Sequence, residues 1–331
     1  MAGGAALTAD GGTTDGSGRL PLTPDQVLRR VEWRVIRRLD GRLQGDYRSL
    51  FRGTGIDVAG LREYQAGDDL RHIDWNVTAR MDTPFVRQYL EDREVTAWLV
   101  LDRSPSMGFG PVARRKHAVV TDLAATFAQL LTRGGNQVGA VLFDTQVDET
   151  VPPGQGRNQV LRVLSRLMNA PAAAPPTAPS RVVRRRRSRR PSPSGTTDLA
   201  VPLRAALGLM RRRSLVVVVS DFITGPGWEN PLGQLARRHD VVVVQVVDPL
   251  ESDLPAAGLI YVEDPETGEQ IFVDTDDPGF RQRLRAEADR RRQTLTEAVR
   301  SAGTELYTVS TDEDLVRALA RIAALRRGRR A

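Results

Sequence analysis

The sequence predicts an α/β fold with a doubly wound, mostly parallel sheet that carries helices on both faces. Valine-rich runs of strand length, at residues 95–101, 215–220 and 241–247, are separated by segments of helix length. Continuous rather than alternating apolar runs are typical of strands buried on both faces, as in parallel sheets. The 331 residues are 40% apolar, which is enough to build a large core.

The first 94 residues divide into three parts. Residues 1–22 are rich in Gly, Ala, Thr and Asp, and we expect a disordered leader there. Pro24 and Asp25 then begin an amphipathic helix that ends near Gly41. Glycines break the apolar stretches of residues 45–95, which indicates a small, mostly β subdomain or an extended arm after the helix, within a unit spanning 23–94. The apolar side chains at helical spacing are Val27, Leu28, Val31, Val35, Ile36 and Leu39.

The main domain is predicted to span residues 95–325. Its parallel-sheet pattern is interrupted at 171–194 by an insertion rich in Pro and Arg. The predicted order is strand 95–101, helix 112–132, strands 138–143 and 146–151, helices 156–169 and 199–212, strand 215–220, helix 229–238, strand 241–247, a hairpin of 258–263 with 270–274, helix 278–301, strand 304–309 and a helix from 312.

The formal charge of +7 is concentrated in one segment. Residues 181–190 contain seven arginines and no acid, and without them the charge is 7 − 7 = 0. A general surface for nucleic acid is therefore not implied. We interpret the insertion as a solvated loop, with docking to an acidic partner or to nucleic acid as the alternatives. The single lysine, Lys116, beside 47 arginines is interpreted as codon bias of a GC-rich genome.

Several classes of protein are excluded or disfavoured. The absence of cysteine excludes disulfides, iron–sulfur clusters and thiol catalysis. His72, His117 and His239 are not spaced as zinc ligands. No apolar run reaches the ~18 residues of a membrane span, so we expect a cytoplasmic protein. His72 lies near Asp74, but no nucleophile motif or phosphate-binding loop accompanies it, and we expect no enzymatic activity.

Oxygen-bearing side chains follow two of the predicted strands. Asp102 ends the first strand of the main domain, and Ser104 and Ser106 come directly after it. Asp221 ends the strand at 215–220, and a Gly-Thr-Thr-Asp stretch at 195–198 precedes a helix. Carboxylates and hydroxyls suit a hard cation such as Mg²⁺, with Mn²⁺ or Ca²⁺ as alternatives. A helix-start loop with capping hydroxyls is the purely structural interpretation.

These residues resemble the metal-ion-dependent adhesion site (MIDAS) of von Willebrand factor A domains, which combines Asp-x-Ser-x-Ser with a distant threonine and a distant aspartate. The resemblance covers residues 95–320 and implies a von Willebrand A-like, Rossmann-like sheet. In that fold the first and fourth strands flank the point where strand order reverses. One open metal position would accept an acidic side chain of a partner. The implied ligands are Asp102, Ser104, Ser106, Thr197 and Asp221, with Thr196 as the alternative threonine.

A longer signature lies upstream and resembles the hallmark of domain-of-unknown-function family 58 (DUF58). It reads Arg62-Glu-Tyr64-Gln-Ala-Gly67-Asp68-Asp69-Leu-Arg71-His-Ile73-Asp74-Trp75, with Ala79-Arg80 following. We expect the arginines and aspartates to form an ion-pair clamp, with Tyr64 and Trp75 as apolar anchors. A partner-binding surface is the alternative. Many relatives carry two membrane-spanning helices near the N-terminus, and this chain has none.

The combined resemblance implies a non-enzymatic protein-interaction module. Family members are often encoded beside MoxR-type AAA+ ATPases and are thought to help assemble or activate target complexes. Such an ATPase and other von Willebrand A-like proteins are therefore the implied partners. Two alternatives are a metal-dependent hydrolase, which needs a base near the ion, and a nucleic-acid binder acting through the arginine-rich loop.

Overall fold

The fold is built around a six-stranded sheet. The computed structural model describes residues 22–39, 61–65, 73, 75–81, 83–87, 95–110, 114–144, 146–169, 197–263 and 270–330. The strands of the main sheet are β3 (Thr96–Asp102), β4 (Gln137–Phe143), β5 (Val147–Gly154), β6 (Leu215–Ser220), β7 (Asp240–Val247) and β10 (Leu306–Ser310). Their spatial order is β10-β7-β6-β3-β4-β5, and β5 alone among these six runs antiparallel to its neighbour. The predicted doubly wound, mostly parallel sheet is confirmed.

Helices cover both faces of this sheet. The described helices are α1 (Pro24–Val31), α2 (Trp75–Met81), α3 (Lys116–Arg133), α4 (Gly156–Met168), α5 (Ala200–Leu209), α6 (Glu229–Arg238), α7 (Pro278–Ser301) and α8 (Leu315–Arg330). One core cluster joins α1, α3, α4 and α8 to one face of the sheet. A second cluster joins α5, α6 and α7 to the other face. Alternate side chains of each central strand enter opposite clusters, which explains why these strands are apolar throughout.

The N-terminal helix is part of the main core. Thr23 caps α1, and the chain continues through a π-helical segment, Glu32–Ile36, up to residue 39. All six predicted apolar side chains are buried in the cluster that contains α3 and α4. Polar contacts fasten the same helix: Arg30 pairs with Asp122, and Glu32 accepts a hydrogen bond from Gln129 at 2.8 Å.

The small unit before the main sheet contains both strand and helix in its described residues. β1 (Leu61–Glu63) pairs antiparallel with β2 (Phe85–Arg87), and α2 lies between them in the chain. The Thr78 hydroxyl of α2 accepts a hydrogen bond from the Phe85 amide at 3.0 Å. The β1–β2 pair agrees with the predicted small β subdomain, and the short helix α2 is an element that was not predicted from the sequence. A separate hairpin, β8 (Leu259–Glu263) with β9 (Gln270–Asp274), matches the prediction.

Two helix starts differ from the sequence prediction, and local contacts account for both. The helix expected from residue 112 begins at Lys116, since Arg115 is extended and the Lys116 amide bonds to the Phe109 carbonyl at 3.1 Å. The last helix begins at Leu315 rather than 312, because the Asp314 carboxylate accepts hydrogen bonds from the amides of Val316 and Arg317. The predicted leader at 1–22, apart from Leu22, and the insertion at 171–194 lie outside the described residues.

Candidate metal centre at the carboxyl edge of the sheet

The two predicted aspartates lie at the carboxyl ends of neighbouring strands. Asp102 is the last residue of β3, and Asp221 directly follows β6, which pairs in parallel with β3. The chain runs outward from β3 to β4 and β5, then returns to the other side of β3 with β6. Strand order therefore reverses between β3 and β6, where ligands of open α/β sheets usually bind. Both carboxylates are buried, with 2% and 4% residue exposure.

The Asp102 carboxylate is held by hydrogen bonds on both oxygens. Its Oδ1 accepts from the Ser104 amide at 2.9 Å, and its Oδ2 accepts from the Ser220 hydroxyl at 2.5 Å. Burial and then the neighbouring Asp221 charge raise the pKa of the Asp102 carboxyl to about 7, although hydrogen bonds from Ser220 and Ser104 lower it. The fold thus holds a carboxylate where its charge is penalised, and a nearby cation would remove that penalty.

Two buried hydroxyls lie in the loop that leaves β3. Ser104 precedes a 3-10 turn, Pro105–Gly108, and its Oγ lies 3.0 Å from the Ser106 Oγ. Both residues are at most 3% exposed. The sequence prediction that Asp102, Ser104 and Ser106 come together is confirmed, because the turn folds the i+2 and i+4 side chains back toward the strand end.

Thr197 is joined to the loop after β6. It is 2% exposed, and its carbonyl accepts a hydrogen bond from the Thr224 hydroxyl at 2.6 Å. The same hydroxyl accepts from the Leu199 amide at 3.2 Å, so Thr224 fastens the start of α5 to the segment that carries Asp221. Thr196, the alternative threonine, lies outside the described residues.

A strained residue follows Asp221 directly. Phe222 has φ 60°, in the left-handed region that non-glycine residues rarely adopt. Amide hydrogen bonds fix the loop: the Phe222 amide donates to Ser220 Oγ, and the Ile223 amide donates to Asp221 Oδ1 at 3.0 Å. The Phe222 ring also meets Trp228 edge-on at 5.5 Å. Strain of this kind is commonly found at functional sites, where the surrounding contacts maintain it.

The single lysine of the chain lies beside this loop and is fully buried. The Lys116 Nζ contacts Asp221 Oδ2 at 2.6 Å and Glu251 Oε1 at 2.6 Å. Burial lowers the pKa of the Lys116 ammonium, but the Asp221 and Glu251 carboxylates outweigh it and hold that pKa above its usual value. The interpretation of this lysine as codon bias did not foresee that role. Sequence reasoning also missed Ser220 and Glu251, whose positions follow from the packing of separate strands.

Glu251 connects the lysine to the next two strands. It lies in the turn after β7, where its Oε2 accepts a hydrogen bond from the Asp248 amide at 3.1 Å. The Asp248 carboxylate in turn accepts from the Thr311 hydroxyl, after β10, at 2.6 Å. Polar side chains therefore extend along one sheet edge, from the end of β3 to the end of β10.

The donor set fits a hard divalent cation. No group of three or more His, Cys, Asp or Glu side chains within the described residues has the arrangement of a metal site. The candidate centre instead combines two carboxylates with hydroxyls, and the raised pKa of Asp102 marks a buried carboxylate near another negative charge. Oxygen donors of this kind suit Mg²⁺, which keeps several waters in its shell. Thiolate- or imidazole-preferring metals are not favoured here.

The upstream signature is described only in part. Gly67, Asp68, Asp69, Arg71 and Asp74 lie outside the described residues, as does the Arg62 side chain, so the predicted ion-pair clamp stays a prediction. Ile73 forms an isolated bridge with Val86, Tyr64 is half-buried and Arg80 is exposed. Trp75 is 69% exposed, and its role as an apolar anchor stays a prediction.

The strand order and the polar switch point define the class of protein, an α/β domain of the Rossmann-like type with an oxygen-rich site at its carboxyl edge. Residues 60–294 match the family described as "Protein of unknown function DUF58". The chain belongs to this family, which confirms the resemblance of the upstream signature.

Relatives in two mycobacteria align over most of the chain. "Uncharacterized protein Rv1480" of Mycobacterium tuberculosis is 34% identical over 304 residues, which cover 91% of this chain and 89% of that protein. "Uncharacterized protein Mb1516" of Mycobacterium bovis gives the same values. Among solved structures, the conserved hypothetical protein BatB from Bacteroides thetaiotaomicron is 14% identical with a TM-score of 0.41, covering 72% of this chain and 100% of that one. Within the described residues, no helix has the length and apolar character needed to span a bilayer.

Proposed function

We propose that this chain is a non-enzymatic protein-interaction module of the von Willebrand A-like type with a Mg²⁺-dependent adhesion site. One observation carries the proposal: two buried carboxylates and a pair of buried hydroxyls lie together at the switch point of the sheet. Burying like charges side by side is unfavourable unless a cation compensates them. Lys116 compensates Asp221 and Glu251 but makes no hydrogen bond to Asp102 within the described residues, so the Asp102 charge is the one that a bound cation would compensate.

Each proposed ligand contributes an oxygen atom to the site. Asp102 and Asp221 supply negative charge, and Ser104, Ser106 and Thr197 supply neutral oxygens. Hydrogen bonds from Ser104 and Ser220 hold the Asp102 carboxylate in a fixed orientation. A bound Mg²⁺, or Mn²⁺ or Ca²⁺ in its place, would supply a positive docking point for an acidic side chain of a partner.

The proposed partner is a MoxR-type AAA+ ATPase, together with other von Willebrand A-like proteins. This part of the proposal rests on membership of the DUF58 family. The role we assign is assistance in the assembly or activation of a target complex.

Metal binding is tested by isothermal titration calorimetry with Mg²⁺ and Mn²⁺. Wild type is expected to bind, and Asp102→Ala is expected to lose binding while keeping its fold, because residue 102 ends a strand. Asp198→Asn is the matched control, since Asp198 is exposed and its amide counterpart can still cap α5. Equal affinities of wild type and Asp102→Ala for Mg²⁺ would refute the assignment.

Partner binding is tested by pull-down of a purified MoxR-type ATPase on immobilised protein. Capture is expected in Mg²⁺ and not in EDTA, and the Asp102→Ala protein is expected to capture none in either buffer. Equal capture in Mg²⁺ and in EDTA would show that the ATPase does not bind through the metal site.

A further inference from the structure

The buried lysine is unusual for this chain, which uses arginine at the other 47 of its 48 basic positions. A guanidinium is a large planar fork, whereas an ammonium is a compact charge whose three donors can point to separate groups. The Lys116 ammonium contacts carboxylates of two different segments at 2.6 Å each. A compact ammonium suits this fully buried position between two segments.

The ammonium contacts one of the proposed metal ligands, Asp221. Among the described residues, Lys116 forms hydrogen bonds to Asp221 and Glu251 and none to Asp102, Ser104 or Ser106. It contacts the Oδ2 of Asp221, while Oδ1 accepts from the Ile223 amide. Both oxygens of this carboxylate are thus engaged by the protein before any ion binds.

We propose that Lys116 is a built-in counter-ion of the candidate metal site, which holds Asp221 in place and limits the negative charge that a bound divalent cation meets. This inference rests on the proposed function and extends it to Lys116 and Glu251. Its consequence is a metal that stays attractive to one further carboxylate, supplied by a partner.

A count of formal charges gives the physical reason. Asp102, Asp221 and Glu251 with Lys116 sum to −2 when all four are ionised, so a divalent cation brings the group to zero. Without the ammonium, the same group with its cation would carry −1 and would repel an incoming carboxylate. Lys116 thus weakens the hold on the metal and permits an acidic ligand.

Four proteins form a charge series for calorimetric titration with Mg²⁺. The formal charge of residues 102, 116, 221 and 251 together is −2 in wild type, −3 in Lys116→Met, −1 in Glu251→Gln and −2 in the double variant. Because one unit of charge near a partly desolvated ion changes its affinity by about tenfold or more, Lys116→Met is expected to bind Mg²⁺ about tenfold more tightly than wild type. Glu251→Gln is expected to bind about tenfold more weakly, and the double variant is expected to match wild type. The Asp248 charge is common to all four and does not affect the order.

The outcomes separate this inference from the proposed function. If wild type binds Mg²⁺ and folded Lys116→Met binds it equally or more weakly, the counter-ion role is overturned while the metal site stands. If wild type binds no better than Asp102→Ala, the metal site itself is overturned and this inference with it. If Lys116→Met does not fold, Glu251→Gln decides: unchanged affinity in that variant overturns the counter-ion role, and a tenfold loss supports it.

Discussion

The Asp102→Asn substitution tests whether the candidate site costs the metal-free protein stability. The amide has nearly the same shape as the carboxylate, and its oxygen can still accept the hydrogen bond from the Ser104 amide. The Ser220 hydroxyl, which donates to Oδ2 in wild type, would have to turn and accept from the new amide group. The main change is the loss of one buried negative charge beside Asp221.

The expected gain follows from the pKa of Asp102. That pKa is raised from 3.8 to about 7 in the folded protein, so the folded state binds the proton more tightly than the unfolded chain. Stability from this group is fully present below pH ~3.8 and is lost as the pH rises through about 7. The pKa difference of about three pH units, at 1.36 kcal/mol per unit, sets an upper limit of about 4 kcal/mol on the stability gained by Asp102→Asn. The altered Ser220 hydrogen bond reduces this by about 1 kcal/mol or more, and we expect a net gain of about 2 kcal/mol at pH 8.

The assay is chemical denaturation in EDTA at pH 5 and pH 8. Asp102→Asn should unfold at higher denaturant than wild type at pH 8, with little difference at pH 5. The exposed control Asp198→Asn should stay within about 0.5 kcal/mol of wild type at both values. Millimolar Mg²⁺ should then raise the stability of wild type and leave Asp102→Asn unchanged, because only a protein that binds the ion is stabilised by it. If Asp102→Asn is no more stable than wild type at pH 8 in EDTA, the carboxylate is not penalised and the reasoning fails.

Three further outcomes are expected. Leu28→Ala should lower the free energy of unfolding by about 2–5 kcal/mol because its side chain is buried in the main core, whereas the 65% exposed Trp33, changed to Ala, should cost little; equal effects in denaturation would show that the N-terminal helix is not part of that core. Deletion of residues 181–190 should lower the isoelectric point and leave the melting temperature and the Mg²⁺ affinity unchanged, and a large drop in melting temperature would show that the segment packs. Asp69→Ala should cost about 3–5 kcal/mol if the signature forms a partly buried clamp, and at most ~1 kcal/mol if the pair is exposed; unchanged stability with lost ATPase capture would identify a partner surface instead.

The sheet could be predicted from the sequence because strands that are buried on both faces are apolar at nearly every position. β6 reads Leu-Val-Val-Val-Val-Ser, and each of its residues is buried. The positions of Asp102 and Asp221 were also predictable, since parallel strands end at one edge and the strand order reverses between β3 and β6. Element boundaries were less accurate, because capping contacts such as those of Asp314 depend on a single side chain.

The contacts of Lys116 could not be predicted, because they depend on which strands become neighbours. Lys116 is 105 residues from Asp221 and 135 from Glu251 in the chain. No local pattern relates these three residues, which meet where the start of α3 lies beside the ends of the neighbouring strands β6 and β7. The rarity of lysine in the sequence was the one available signal. Composition alone could not distinguish a biased codon choice from a lysine that has a specific buried role.

The carboxyl edge of the sheet differs from the rest of the core because it buries charged side chains. The central strands consist mainly of buried apolar residues. However, β3 ends at the buried carboxylate of Asp102, and the buried Asp221 directly follows β6. Replacing buried ionic groups by apolar ones of similar volume is often neutral or stabilising, so stability alone does not account for them. Lys116 compensates Asp221 and Glu251 but makes no hydrogen bond to Asp102 within the described residues. The carboxyl of Asp102, whose pKa burial and Asp221 raise to about 7, is therefore the group that still needs a cation. A cation that binds there should gain affinity by removing this penalty. Asp102→Asn is therefore expected to bind the metal more weakly than wild type and, in the absence of metal, to be more stable than wild type.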